Sequence, residues 1–132
     1  MYTKKNVKYH EYAMHRFVYG INIVNVPAIY NYDRVSGVLE MQKIPNMSIA
    51  DYYGEEFSTV PVHIITKIRE IIKILYNNDI EYPDITGYNF IEWGDDIWII
   101  DFEHATPLED ECNDPFVLDF INGREGWNPR FA

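Results

Sequence analysis

Tyr82-Pro83-Asp84-Ile85-Thr86-Gly87-Tyr88-Asn89, then a hairpin pattern, then Ile99-Ile100-Asp101-Phe102-Glu103-His104-Ala105: the fold is read from this stretch. Between its two ends, Phe90-Ile91-Glu92-Trp93 and Ile97-Trp98-Ile99-Ile100 flank Gly94-Asp95-Asp96, a strong signal for a tight turn between two strands. A loop presents Asp84 at its tip, the chain turns through Gly87, and Asn89 opens the first strand. The hairpin then brings Asp101 back beside Asn89, although the two are twelve residues apart. Three polar side chains are therefore expected to meet at one cavity.

Working outward, residues 60–77 precede this loop with Ile64, Ile65, Ile68, Ile71, Ile72 and Leu75 on one face at helical period. Pro61 suits the first turn, and Asn77-Asn78-Asp79 ends the helix. Isoleucine at most buried positions costs helix propensity, so packing must hold this segment. Ser48 with Asp51 three residues on starts a short helix ending near Gly54. Val26–Tyr32 and Val38–Gln42 read as strands joined by the turn Asp33-Arg34-Val35-Ser36-Gly37. Residues 9–19 read as a first helix closed by Gly20. After Ala105 the chain turns acidic and irregular, with a short helix at Phe116–Asn122 and a tail ordered by Trp127.

The composition bounds the function. The 132 residues suit one domain, 1–132, and 47% of them are apolar, as in a globular protein. A net charge of −10 with no lysine or arginine cluster argues against a nucleic-acid partner. Lys4, Lys5 and Lys8 read as a solvated, fraying terminus. The single cysteine, Cys112, allows no internal disulfide, and no Cys/His spacing suggests zinc; a reducing, cytoplasmic setting follows. No secretory segment follows Met1 and no apolar run reaches membrane-spanning length, so no membrane role is expected. The abundance of Ile, Asn and Tyr fits an AT-rich genome such as that of some large DNA viruses.

The Asp84, Asn89 and Asp101 set suits phosphoryl transfer from a magnesium nucleotide. Asp84 aligns an acceptor hydroxyl and takes its proton late. Asn89 and Asp101 offer two oxygens to Mg²⁺, an ion that prefers few protein ligands and keeps waters and phosphate oxygens. The order hairpin, short helix, long helix, Asp-x₄-Asn loop, hairpin, Asp-Phe-x resembles the protein-kinase-like superfamily over roughly residues 9–105. Ile100-Asp101-Phe102-Glu103 is closest to its choline- and aminoglycoside-kinase-like branch or to small atypical kinases. The resemblance implies ATP and Mg²⁺ as cofactors, Asp84 as catalytic aspartate, and Asn89 and Asp101 as metal ligands. It places Glu40, Met41, Gln42 and Ile44 where the hinge meets adenine, and Glu11 where a glutamate pairs the phosphate-binding lysine. It also marks departures: the first three small-lobe strands, their glycine-rich loop and that lysine are expected to be absent. Lys4, Lys5 and Lys8 read as too near Glu11 to replace the lysine, which leaves Glu11 a solvated helix residue.

The remaining residues read as structure. His10, His15, His63 and His104 lack metal-ligand spacing, Trp93 and Trp98 pack across the hairpin, and Glu109-Asp110-Glu111 is an exposed loop. The expected fold is α+β: a truncated kinase-like fold, a short antiparallel sheet beside a helical layer, and a second hairpin carrying the metal-site residues. The leading functional expectation is a minimal ATP-dependent phosphotransferase acting on a protein or small-molecule hydroxyl. The alternative is an inactive pseudokinase-like module that binds a protein partner or self-associates as a dimer through faces that truncation uncovers.

Overall fold

A computed structural model describes residues 1–131. Strand β1 (Tyr2–Lys4) leads into helix α1 (Tyr9–Ile21), which is followed by β2 (Ile29–Asp33) and β3 (Val38–Met41). These strands form one antiparallel sheet in the order β1-β3-β2, with Tyr2 opposite Met41, Thr3 opposite Glu40 and Lys4 opposite Leu39. The β2–β3 turn is closed by Asp33 Oδ1, which accepts the Val35 and Ser36 N–H groups, and by Gly37 at φ +72°. This sheet covers a small apolar cluster of Val7, Leu39 and Met41, with Tyr12 stacked on Tyr32.

The expected first helix forms but does not stop at Gly20. It runs to Ile21, and Asn22 caps it in the left-handed region at φ 53°, its N–H bonded to the Val18 carbonyl. Asn reaches that conformation at lower cost than most residues, so no glycine is needed there.

Helix α2 (Ile49–Tyr53) begins as expected, with Ser48 Oγ accepting the Asp51 N–H. Helix α3 (Val62–Asn77) is the centre of the larger cluster. Ile64, Ile68, Ile72 and Leu75 are fully buried, and each such side chain contributes about 1.5–3 kcal/mol. Strand β4 (Ile80–Glu81) then pairs antiparallel with β7 (Thr106–Pro107), a two-residue ribbon with no sequence signal. Strands β5 (Phe90–Trp93) and β6 (Asp96–Ile99) form the expected hairpin, with Gly94 at φ +63° in the turn and Trp93 against Trp98. Helix α4 (Pro115–Ile121) packs on α3, capped by Asp114.

Among the described residues the result is a mixed α/β fold of small antiparallel sheets and four α-helices. Two junctions tie the β5–β6 hairpin to the segments before β2 and after β3. The Ile99 N–H donates to the Asn25 carbonyl at 3.0 Å, and Ser48 bridges Ile91. Among the described residues no helix is long and apolar enough to cross a membrane.

Candidate active site

The loop after β4 is built to hold a carboxylate at its tip. Tyr82 is buried, and its ring packs on Phe90 and Phe102. Burial holds its hydroxyl well above the usual phenol range, so it stays protonated and donates to the Asp101 backbone carbonyl at 2.5 Å. The loop carrying Asp84 and the loop carrying Asp101 are thereby tied together. Gly87 lies where a Cβ would stand 3.1 Å from Ala50 Cβ and 3.2 Å from the Ala50 N, so a side chain there would force α2 back by a few tenths of an ångström.

Asn89 is buried, and its Nδ2 donates to the Asp84 backbone carbonyl at 2.8 Å. Its own carbonyl accepts the Ile100 N–H at 3.0 Å, immediately before Asp101. The structure thus brings Asp84, Asn89 and Asp101 to one place. Burial pushes the Asp84 carboxyl up, Asp101 and Glu103 add to the push, and the Asn89 amide and His104 oppose it.

The opposite wall corrects the sequence reading. Residues 2–4 form a paired strand rather than a fraying terminus, so one strand does precede the first helix. Lys4 is two-thirds or more covered, its Nζ 2.5 Å from Glu11 Oε2 and 3.4 Å from Asp101 Oδ2. Glu11 is buried rather than solvated. Lys4, expected to lie too close in sequence to serve, reaches its partner because the extended strand and the turn at Asn6 (φ 59°) double the chain back against α1. Burial opposes the Lys4 charge, but Asp101 and Glu11 outweigh it and hold the ammonium above its ordinary value. Burial pushes the Glu11 carboxyl up, and Lys4 only partly offsets that push while Asp101 and Glu103 reinforce it. One lysine therefore faces several carboxylates.

Between the walls lies a cleft of about 360 Å³, lined by Tyr2, Lys4, Pro27, Met41, Gln42, Ile44, Ile91, Ile100 and Asp101 among others. Its size is that of a small-molecule site. Of the expected hinge residues, Met41, Gln42 and Ile44 line it. Glu40 does not; it sits mid-sheet opposite Thr3 and Asn31. The Gln42 N–H is taken by the Ala28 carbonyl and its side-chain Oε1 accepts the Ala28 N–H, which fixes the segment's path.

No family model matches this chain, and no curated protein sequence does. Solved structures do match. One is described as the kinase PK-1 of the Cydia pomonella granulovirus, with a TM-score of 0.58 at 13% identity. The fold is kinase-like. The match covers 85% of this chain and 46% of that one, so the chain spans less than half the length of that viral kinase.

Proposed function

We propose that this protein is an ATP-dependent phosphotransferase acting on a hydroxyl acceptor, built on a shortened kinase-like fold. The observation that carries the reading is Lys4: one ammonium in the cleft bridges Glu11 on α1 and Asp101 on the far wall. The apolar part of the cleft beside Met41, Gln42 and Ile44 would take the adenine ring, and Lys4 would face the phosphates.

The donor set fits magnesium. Among the described residues no three His, Cys, Asp or Glu side chains form a closed cage. Asp101 and the Asn89 Oδ1, whose amide is oriented by the Asp84 carbonyl, supply oxygens of the kind Mg²⁺ takes alongside waters and phosphates. The carboxylate excess around Lys4 is the charge that a divalent cation offsets. Bound there, the ion would neutralise the phosphates and polarise the γ-phosphorus.

The chain's own residues do the rest. Lys4 attracts the phosphates and is held in line by Glu11. Asp84 accepts a hydrogen bond from the acceptor hydroxyl and aligns it with the γ-phosphorus. The acceptor oxygen–phosphorus bond forms, the bond to the β-phosphate bridging oxygen breaks, ADP leaves, and the acceptor proton passes to Asp84. Among the described residues no glycine-rich loop covers the phosphate end. Such backbone donors are worth about 10²-fold, so slow transfer is expected. Transfer from γ-labelled ATP to a panel of protein and small-molecule alcohols tests the reading. Label incorporation that requires both magnesium and Asp84 supports it, and incorporation equal in Asp84→Ala and wild type contradicts it.

A second reading, an inactive kinase-like module that self-associates, draws on another surface. The outer face of α1 exposes Tyr9, Phe17, Tyr19 and Ile21. Scattering mass decides it: a dimer that dissociates on Phe17→Glu supports this reading, and a strict monomer removes its motive.

A further inference from the structure

The end of the chain closes back on the loop that carries Asp84. Asn128 is 1% exposed. Its Nδ2 donates to the Pro83 carbonyl at 2.8 Å, and its backbone N–H donates to the Ile85 carbonyl at 2.9 Å. These are the two carbonyls that flank Asp84 in the chain. The third, that of Asp84 itself, is held by Asn89. Asn128 Oδ1 in turn accepts the Arg130 N–H at 3.1 Å, so the amide has one orientation.

The segment around it is anchored at both ends. Trp127 meets the Phe57 ring edge-on at 5.0 Å. Arg130 pairs with Asp114 at 3.0 Å. The Phe131 ring lies 4.9 Å from the His104 ring, whose Nε2 stands 4.0 Å from Asp84 Oδ2. The tail therefore grips the loop from one side of Asp84 and braces its imidazole neighbour from the other.

From this geometry we infer that Asn128 is a positioning residue for Asp84: a buried amide that fixes the backbone on both sides of the carboxylate and so sets its aim at the acceptor. The inference rests on the phosphotransferase reading and adds a residue to its site. A carboxylate that only aligns a hydroxyl depends on placement, so loss of the clamp lowers turnover without weakening nucleotide binding.

The test compares Asn128→Ala and Asn128→Asp with Ile72→Val, a conservative core substitution on α3 that serves as the stability control. All are assayed well below their thermal transitions. In both Asn128 variants kcat is expected to fall about ten- to a hundredfold with KM for Mg-ATP unchanged, while Ile72→Val keeps wild-type kcat. Equal kcat in all three variants overturns the inference, as does a loss confined to KM. Amide exchange separates this outcome from failure of the underlying reading. The Thr86 and Asn89 N–H groups, bonded to Asp84 and Thr86 carbonyls, are expected to exchange at least tenfold faster in Asn128→Ala than in Ile72→Val. Should wild type transfer no phosphate, that difference still reports whether Asn128 fixes the loop, and unchanged exchange refutes it.

Discussion

The two walls of the cleft rest on cores of very different size. The wall bearing Asp101, to which the loop of Asp84 and Asn89 is hydrogen-bonded, grows out of the large cluster centred on α3, to which Tyr82, Ile85, Phe90 and Phe102 all belong. The wall bearing Lys4 and Gln42 rests on Val7, Leu39 and Met41, with three partly buried neighbours. On the proposed phosphotransferase reading the roles divide the same way: the residues that would aim the acceptor and hold metal stand on the larger core, and the lysine that would meet the phosphates stands on a three-residue edge strand. Local stability follows buried apolar area, so the smaller core is expected to open before the larger one, an order that native-state hydrogen exchange checks.

Substitutions that remove one wall's contribution at a time break or sharpen this contrast. The largest effect is expected on the rigid side: Asp101→Ala lowers phosphate transfer at least ~10³-fold in single-turnover assays, about 4 kcal/mol of transition-state stabilisation. Next come the cores themselves. Ile72→Ala is expected to cost about 3–4 kcal/mol in urea titrations and to weaken both walls together, while Leu39→Ala costs about 2–3 kcal/mol. Native-state hydrogen exchange separates them: Leu39→Ala frees the β1–β3 hydrogen bonds while α3 amides stay protected. If both variants loosen α3 and β1 equally, the walls are one cooperative unit and the contrast fails.

On the smaller wall, Lys4→Met is expected to lower transfer about 10²-fold and to raise KM for the nucleotide. It also leaves Glu11 buried without its cation, costing about 1–2 kcal/mol. The sign with pH is fixed by the Lys4 shift. Because the folded value is raised, the pair's contribution is complete below the ordinary lysine value of 10.5 and is lost as pH rises through the folded one. The stability gap between wild type and Lys4→Met therefore closes in strong alkali. The smallest effect has the opposite direction. The Asp84 carboxyl is raised by burial from 3.8, so wild type is relatively most stable below that value and loses stability as pH rises through the folded value. Asp84→Asn escapes that loss. It is expected to gain about 0.5–1 kcal/mol at pH 7, a gain that thermal melts should show vanishing below pH 3.8.

The same contrast explains what the sequence disclosed. The rigid wall is written in local signals: helical periodicity from Ile64 to Leu75, the Asp84-x₄-Asn89 spacing, and a hairpin with Gly94 at its turn. Each can be read within a dozen residues. Lys4 cannot. Tyr2-Thr3-Lys4 is too short to announce a strand, and the partner of Lys4 is Leu39, far along the chain in the adjacent strand β3. Only that long-range pairing turns three terminal residues into a site. Glu11 followed Lys4 into error, since a helix carboxylate looks solvated until its cation is found. Asn128 was equally silent, because an Asn-Pro in a tail reads as a turn. Its two bonds to the Pro83 and Ile85 carbonyls exist only in the folded chain. Glu40 failed for the converse reason: the strand was read correctly, but its mid-sheet position removes that residue from the cleft.

One measurement bears most directly on the claim that Lys4, Asn89 and Asp101 form a single nucleotide–magnesium site. Calorimetric titration with a non-hydrolysable ATP analogue, with and without Mg²⁺, is run on wild type, Lys4→Met and Asp101→Ala. Saturable binding in wild type that is magnesium-dependent, and at least tenfold weaker in each variant, is the predicted result. Absence of heat in wild type at millimolar nucleotide, or equal affinity in all three proteins, would contradict it.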